Sequence, residues 1–324
     1  MQMRRLGSQG LHTSAIGYGS IGTAVGYGPT DDVRSISAIR RAHDLGVTMF
    51  DTAEMYGWGS GEELLGRSVA PFRDEVVIAT KFGLTRGFGP DSRPDHIREV
   101  VESGLRRLGV DHIDVLYQHR PDPAVPIEDV VSTMAEFVEA GKVRFLGLSE
   151  AGPDDLRRAH ATAPISVLQT EYSLFARDAE PLFPLLDELD IGFVAYSPLA
   201  RGFLTGTATS AETLARDDSR AHMPWWQPEN FEANSAIVRE LERIATGKGI
   251  SVSQLALAWI LTAHDHIVPI PGSRDPDRVA HNVAATEVQL DEDDIAAIEA
   301  VVPDGAHGHR GTDSPWLRTA RRDG

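Results

Sequence analysis

Four side chains able to move or stabilise a proton stand directly after short apolar runs of the sequence. Asp51 and Lys81 end two of these runs, Tyr56 follows Asp51 in the same segment, and His119 ends a third run. Buried charges are found paired, because an isolated buried charge costs several kcal/mol. Asp51 and Lys81 therefore form either a structural ion pair or part of a proton-transfer site, and these two residues alone do not decide which.

Tyr56 favours the proton-transfer site. A cationic Lys81 near the Tyr56 hydroxyl stabilises the phenolate, which predicts a pKa below the ordinary value of about 10 and a general acid usable near neutral pH. Asp51 then holds Lys81 charged and oriented. His119 by itself is as typical of a structural strand end as of a ligand, but beside Tyr56 it can polarise a substrate carbonyl through a hydrogen bond.

These residues need a scaffold that gathers strand ends, and the rest of the chain predicts one. Amphipathic segments repeatedly end in a glycine that an apolar run follows, as at Gly46, Gly109, Gly141 and Gly192. A glycine after a helix supplies the left-handed cap residue. The uniformly apolar runs that follow are typical of parallel strands buried on both faces.

Eight strands alternating with helices are predicted. The strands lie near 14–19, 47–51, 75–80, 113–118, 143–148, 165–169, 192–196 and 267–270. The helices lie near 33–45, 61–70, 94–108, 128–140, 153–162, 180–189, 252–264 and 276–284. Eight alternations favour an α/β protein of the (β/α)₈ (TIM) barrel type, with an N-terminal β-hairpin cap and long loops at the C-terminal mouth. An open doubly wound sheet is the alternative, although no glycine-rich dinucleotide motif follows a strand.

The composition of the chain limits the classes of protein to which it could belong. The 324 residues are 41% hydrophobic and 24% charged, which is typical of a globular protein, and we expect one domain over residues 1–324. The segment 303–324 is expected either to cross the barrel mouth or to fray. A net charge of −17 disfavours nucleic-acid binding, and the absence of cysteine excludes thiolate and Cys-ligated metal sites. The absence of a long apolar stretch or signal peptide predicts a cytoplasmic protein without a membrane span.

Several motifs around the four polar residues resemble those of the aldo-keto reductases. They are Asp51-Thr52-Ala53-x-x-Tyr56-Gly57, Glu62-x-x-Leu65-Gly66, Ile78-Ala79-Thr80-Lys81 and Leu116-Tyr117-Gln118-His119. Independent motifs in the right order are a far stronger signal than one short match. The resemblance implies an NADPH-dependent, bacterial-type reductase of aldehydes or ketones. It also implies that Tyr56 is the proton donor, that Lys81 and Asp51 tune it, and that His119 orients the carbonyl.

The same resemblance implies cofactor contacts at the middle strand ends. Ser149 and Gln169 match residues that bind the nicotinamide carboxamide, and Glu150 stands where many members have Asn. Tyr196 matches the aromatic residue that stacks on the nicotinamide, its alternative being a core aromatic. The loop matching the one that folds over the pyrophosphate comprises Ser197, Pro198, Leu199, Ala200, Arg201 and Gly202.

A phosphate site is predicted after the last strand. Gly272 and Ser273 precede Arg274, with Arg278 one turn later in a helix that Asp275 is predicted to cap. Helix N-termini with arginines bind phosphate, which predicts that Arg274 and Arg278 hold the 2′-phosphate of NADPH. Asn282 matches a family contact to adenine. The alternative is a solvated helix start with surface arginines.

Fewer sequence features bear on the substrate contacts and on the alternative functions than on the catalytic residues. Tyr27, Trp58, Trp225 and Trp226 fall on predicted mouth loops, where they form either an aromatic substrate wall or ordinary packing.

A cofactor-binding regulatory subunit with slow turnover would share the fold. A metal-dependent barrel hydrolase using Asp51 and His119 would leave Lys81 and Tyr56 without a role, and no metal is expected. The expected partner is a small carbonyl substrate, and the oligomeric state is not predicted.

Overall fold

A computed structural model of the protein describes residues 1–208, 214 and 218–311. Its strands are β1 (Met3–Leu6), β2 (Leu11–Ser14), β3 (Tyr18–Gly19), β4 (Met49–Asp51), β5 (Val77–Phe82), β6 (Ile113–Gln118), β7 (Val143–Ser149), β8 (Ile165–Glu171), β9 (Gly192–Tyr196) and β10 (Ile267–Pro269). Its helices are α1 (Asp32–Asp44), α2 (Ser60–Val69), α3 (Pro94–Leu108), α4 (Ile127–Glu139), α5 (Pro153–Thr162), α6 (Phe183–Leu189), α7 (Pro228–Gly247), α8 (Val252–Ala263), α9 (Pro276–Val283) and α10 (Glu292–Val301).

The strands β3 to β10 form one parallel sheet in chain order. The backbone N–H of Gly17 donates to the carbonyl oxygen of Pro269 at 2.9 Å, which joins the segment before β3 to β10. The two ends of the sheet therefore meet, and the predicted (β/α)₈ barrel is confirmed. A doubly wound sheet is not observed, because its strand order would reverse in the middle.

The N-terminal hairpin closes the bottom of the barrel. Strands β1 and β2 pair antiparallel, and Leu6 and Leu11 pack with the apolar side chains inside the barrel, such as Met49 and Val268. Leu6 also lies against Gly192 at the start of β9, where an added Cβ would come 2.6 Å from the Leu6 Cα. The hairpin cap leaves only the C-terminal end of the barrel open to a ligand.

Three of the four predicted glycine caps are confirmed. Gly46, Gly109 and Gly141 have positive φ angles just beyond α1, α3 and α4. The prediction for Gly192 is wrong, because α6 ends at Leu189 and the next residue, Asp190, takes the left-handed conformation itself. Gly192 is instead a strand residue, and the close approach of Leu6 explains why it has no side chain.

Helix α7 was not predicted. It spans 20 residues between β9 and α8, so two helices separate the last two strands. Its buried residues are Asn234, Val238, Leu241 and Ala245, a spacing of four, three and four that forms one apolar stripe. The polar Asn234 in that stripe and the preceding loop obscured this pattern.

The signature residue Glu62 stabilises the fold outside the open end of the barrel. Its buried carboxylate accepts hydrogen bonds from Thr80 at 2.7 Å and from Arg107 at 2.7 Å. Gly66, also in that motif, lies so close to Leu108 that an added Cβ would come 2.1 Å from its carbonyl oxygen. These residues fix α2 against α3 and thereby hold the loop that carries Tyr56.

Within the described ranges, no single helix is both long enough and apolar enough to cross a membrane. The helices α7 and α8 together have the necessary length and composition, but the chain bends by 85° between them.

Candidate active site

A cavity of about 880 Å³ opens at the C-terminal end of the barrel. This volume lies at the upper end of the range for cofactor and small-molecule sites. The predicted site residues that line it are Tyr27, Asp51, Tyr56, His119, Ser149, Gln169, Tyr196, Ser197, Pro198, Leu199, Arg201, Gly202, Gly272, Ser273, Arg274, Arg278 and Asn282. The barrel thus gathers side chains from nearly every strand end into one space.

Lys81 and Asp51 form a buried ion pair beneath this cavity. Lys81 is 2% exposed and Asp51 is 1% exposed, and the Lys81 Nζ donates to Asp51 Oδ1. Lys81 also donates to the Thr52 carbonyl at 2.8 Å, while Gln169 donates to the second Asp51 oxygen at 2.8 Å. Burial lowers the pKa of Lys81 and raises that of Asp51, and the partner's charge opposes each shift. Gln169 therefore orients Asp51, a contact that the sequence did not predict.

Tyr56 lies directly over this pair. The Nζ of Lys81 is 5.4 Å from the centroid of the Tyr56 ring, and the His119 ring meets that ring edge-on at 6.2 Å. The side chains of Tyr56, Lys81 and His119 thus converge on one place, as the proton-transfer hypothesis requires.

The pKa of Tyr56 shifts in the direction opposite to our prediction. Burial raises it well above the ordinary value, the Asp51 charge raises it further, and only Arg120 among the nearby cations lowers it. The physical reason is that Asp51 neutralises Lys81, so the pair presents little net charge to the phenol and desolvation dominates. Tyr56 is consequently protonated at neutral pH, which is the form that a proton donor needs.

His119 is held as a neutral imidazole. It is 6% exposed, and burial lowers its pKa well below the usual value, with the charges of Arg120 and Lys81 adding to the shift. A neutral imidazole at this position can donate one hydrogen bond to a carbonyl oxygen without competing with Tyr56 as the acid.

The neutral state of His119 predicts a pH-dependent stability. Because its folded pKa lies below that of an unfolded histidine, about 6.5, the unfolded chain binds the proton first as the pH falls. We expect the free energy of unfolding to fall as the pH drops below 6.5, with a limiting slope of about 1.4 kcal/mol per pH unit for one proton. Urea unfolding at pH 7.5 and pH 5 measures this loss, which His119→Asn should reduce.

The matched control is the exposed His12, whose replacement by Asn should leave the pH dependence unchanged. An equal pH dependence in wild type and His119→Asn would show that folding does not lower the pKa of His119.

Glu150 forms a buried ion pair. Glu150 is 0% exposed and has a positive φ of 60° at the end of β7. Arg310 donates to both of its carboxylate oxygens, at 2.8 and 2.6 Å, and the Tyr196 hydroxyl donates to Oε1 at 3.0 Å. Arg310 therefore anchors residues 303–311 behind the cavity wall, and Glu150 holds the Tyr196 hydroxyl. Residues 312–324 of the predicted tail lie outside the described residues.

A second buried carboxylate supports the loop that follows β9. Glu171 ends β8, two residues beyond the predicted strand, and pairs with Arg201 at 3.2 Å. Ser197, Ala200 and Arg201 all have positive φ angles, which are costly for residues other than glycine. The ion pair keeps this strained loop against the cavity.

The phosphate site after β10 is arranged differently from the prediction. Asp275 caps α9 as predicted, accepting from the N–H groups of Asp277 at 2.9 Å and Arg278 at 3.3 Å. Arg274 lines the cavity, but its guanidinium donates to the carbonyls of Tyr27 at 2.8 Å and of Pro29. Arg274 therefore secures the loop between β3 and α1 in this state.

Arg278 and Arg34 complete the charge at this end of the cavity. Arg278 is exposed, and Arg34, which the sequence analysis did not single out, donates to Asp275 at 2.5 Å. Both line the cavity with Arg274. Arg34 lies more than 200 positions from the phosphate motif, so only the closed barrel brings it there.

Of the four predicted substrate aromatics, Tyr27 alone lines the cavity. Trp58 contacts Phe88 and Arg86 outside that lining. Trp225 and Trp226 are 0% and 2% exposed and pack edge-on against Phe175 and Phe203. These two tryptophans are therefore packing residues, which was the alternative to a substrate wall, because the 3₁₀ turn that carries them points both rings inward.

Arg120 is a cavity residue that the sequence analysis missed. It directly follows His119, so the strand-end argument that selected His119 could have included it. Its Nη1 donates to the His119 carbonyl at 2.6 Å and to the Ser149 hydroxyl at 3.2 Å. It therefore adds a positive charge beside the candidate proton donor.

The comparisons with known proteins agree with this geometry. The model of the Aldo/keto reductase family matches residues 15–303. This chain belongs to the aldo-keto reductases. A probable aldo-keto reductase from Glycine max is 42% identical over 313 residues, which cover 94% of this chain and 90% of that protein.

Two solved aldo-keto reductases share the architecture. The glycerol dehydrogenase of Gluconobacter oxydans superposes with a TM-score of 0.85 at 30% identity, covering 97% of this chain and 98% of that one. An aldo/keto reductase from Klebsiella pneumoniae, solved in complex with NADP and acetate, has a TM-score of 0.75 at 26% identity. That match covers 95% of this chain and 98% of the Klebsiella chain.

Proposed function

We propose that this aldo-keto reductase reduces an aldehyde or ketone with NADPH, using Tyr56 as the proton donor. The observation that carries the proposal is the convergence of Tyr56 and His119 above the buried Lys81–Asp51 pair, at the open end of the barrel. A phenol, an ammonium and a neutral imidazole around one space suit protonation of a carbonyl oxygen.

The donor groups along the cavity fit a dinucleotide. Ser149 presents a hydroxyl beside Arg120 and His119, and residues of the strained loop 197–202 also line the cavity. Arg274 and Arg278 line it together with the N-terminus of α9, where a phosphate is favoured. The Klebsiella relative was solved with NADP, which supports the same cofactor here.

The residues of this chain have separate tasks in the proposed reaction. Tyr56 donates its proton to the substrate carbonyl oxygen, and His119 donates a hydrogen bond to the same oxygen. Lys81 and Asp51 form the buried ion pair beneath the Tyr56 ring and fix the position of that ring. Tyr196 presents its ring to the site while its hydroxyl is held by Glu150. When bound, NADPH supplies the hydride.

A direct test combines binding with turnover. NADPH should bind with a change in fluorescence, and a panel of aldehydes should then oxidise it under steady-state conditions. Binding without turnover of any carbonyl would favour a cofactor-binding regulatory subunit instead.

A metal-dependent hydrolase lacks support from the described residues. Among the described residues, one group of three side chains could ligate a metal ion. It comprises Asp187, His264 and His266, which lie beside the start of β10 and away from the cavity. We therefore expect the activity to survive a chelator.

The proposed phosphate site predicts a difference between two cofactors. Arg274→Ala should raise the KM for NADPH by roughly 10-fold or more, because a charge-assisted hydrogen bond to the 2′-phosphate is lost. The KM for NADH should rise much less, and only through the loosened loop at Tyr27 to Pro29. Steady-state kinetics with both cofactors measure the difference, and equal effects would remove Arg274 from the 2′-phosphate site.

A further inference from the structure

One cation beside the candidate proton donor forms no ion pair with the residues that the structure describes. Arg120 follows β6 directly after His119 and is partly buried in the cavity wall. Both of its hydrogen-bond acceptors, the His119 carbonyl and the Ser149 hydroxyl, are uncharged. The positive charge of the guanidinium is therefore not neutralised by these contacts.

The carboxylates around the cavity have other partners. Asp51 pairs with Lys81, Asp275 with Arg34 and Glu171 with Arg201, while Asp31 caps α1 by accepting from backbone N–H groups. Across residues 1–208, 214 and 218–311, none forms an ion pair with Arg120. A partly desolvated charge without a counter-ion is costly, so this position favours an anionic ligand.

Arg120 also retains donors that can reach such a ligand. Its Nε and Nη2 make no hydrogen bond to the described part of the chain, yet neither is sealed within the protein. An arginine presents these N–H groups in a fixed plane that matches the two oxygens of a carboxylate. A site of this kind is needed for an anion, because the net charge of −17 otherwise repels it.

The position of Arg120 separates it from the phosphate site. Its guanidinium carbon lies 6.0 Å from the centroid of the Tyr196 ring, and Ser149 and His119 are its direct neighbours. Arg274 and Arg278 instead follow β10, on the far side of the cavity lining. An anion held by Arg120 is thus close to the candidate proton donor.

We propose that the substrates of this enzyme are carbonyl compounds that carry a carboxylate, which Arg120 binds while the carbonyl faces Tyr56. This inference rests on the proposed reductase function and deepens it by naming the substrate class. Arg120 is on this view a specificity-determining residue rather than a proton donor.

The test compares two aldehydes that differ in charge. With NADPH as cofactor, kcat/KM is measured for 4-carboxybenzaldehyde and for its methyl ester. We expect the carboxylate to be preferred by roughly 10- to 100-fold, the effect of a hydrogen-bonded charge pair. The ester is intrinsically the more electrophilic aldehyde, so a preference for the carboxylate cannot arise from reactivity. Arg120→Met should lower the carboxylate-to-ester ratio to about 1 or below, mainly through the KM of the carboxylate.

Two further variants make the result decisive. Arg120→Lys retains the charge without the planar donors and should keep part of the preference. Arg98→Met removes an exposed positive charge on α3, away from the cavity, and should leave the ratio unchanged. A wild-type enzyme that reduces the ester as efficiently as the carboxylate would overturn the inference, as would an Arg120→Met variant with the wild-type ratio. Turnover of neither aldehyde, nor of any other carbonyl, would instead contradict the proposed function and this inference with it.

Discussion

Replacing Tyr56 by phenylalanine is expected to lower kcat by about 10²- to 10⁴-fold, the usual contribution of a positioned general acid. The ring remains above Lys81, so the packing of the cavity is kept while the proton donor is lost. The measurement is steady-state oxidation of NADPH with a saturating aldehyde. Fluorescence titration should show that the variant still binds NADPH.

Tyr172→Phe is the matched control for this prediction. Tyr172 is buried, and its hydroxyl donates to Glu180 at 3.1 Å, away from the cavity lining. Its loss should alter stability slightly and kcat little. Near-wild-type turnover in Tyr56→Phe would mean that another group protonates the substrate, and the assignment of Tyr56 would be abandoned.

Arg310→Met is expected to destabilise the protein by about 3 to 5 kcal/mol, because it removes the guanidinium that donates to both oxygens of the buried Glu150 carboxylate. Arg310 is 1% exposed and Glu150 is 0% exposed, so water cannot replace the lost partner. The free energy of unfolding, measured by urea titration, checks this loss. Because Glu150 also holds the Tyr196 hydroxyl, we expect weaker NADPH binding in the folded variant.

An exposed pair and a double variant complete this experiment. Arg158→Met breaks a surface pair with Glu128 and should cost no more than about 1 kcal/mol. The double variant Glu150→Gln with Arg310→Met also removes the carboxylate charge that Arg310 binds, so it should be more stable than Arg310→Met alone. A loss in Arg310→Met as small as that in Arg158→Met would show that the pair is not buried in solution.

The two proposals about charged residues in the cavity are independent of each other. The test of Arg274 changes the cofactor while the substrate is constant, and the test of Arg120 changes the substrate while the cofactor is constant. Their separation follows from the barrel, which places the ends of β6 and β10 at different parts of one cavity lining.

The sequence by itself determined the barrel and the residues at its strand ends. Apolar runs, glycine caps and terminal polar residues are local features, and parallel strands in a closed barrel bring their ends to one face. Asp51, Tyr56, Lys81 and His119 could therefore be assigned to one site before any coordinate was known. Helix α7 was missed because a polar residue interrupts its apolar stripe.

Only the tertiary structure decided which charges meet and how they act. Glu150 and Arg310 are 160 positions apart, and no local pattern links them. The inward packing of Trp225 and Trp226 likewise depends on distant aromatic neighbours. The direction of the Tyr56 pKa shift depends on burial and on how fully Asp51 neutralises Lys81, which are properties of three-dimensional distance rather than of sequence spacing.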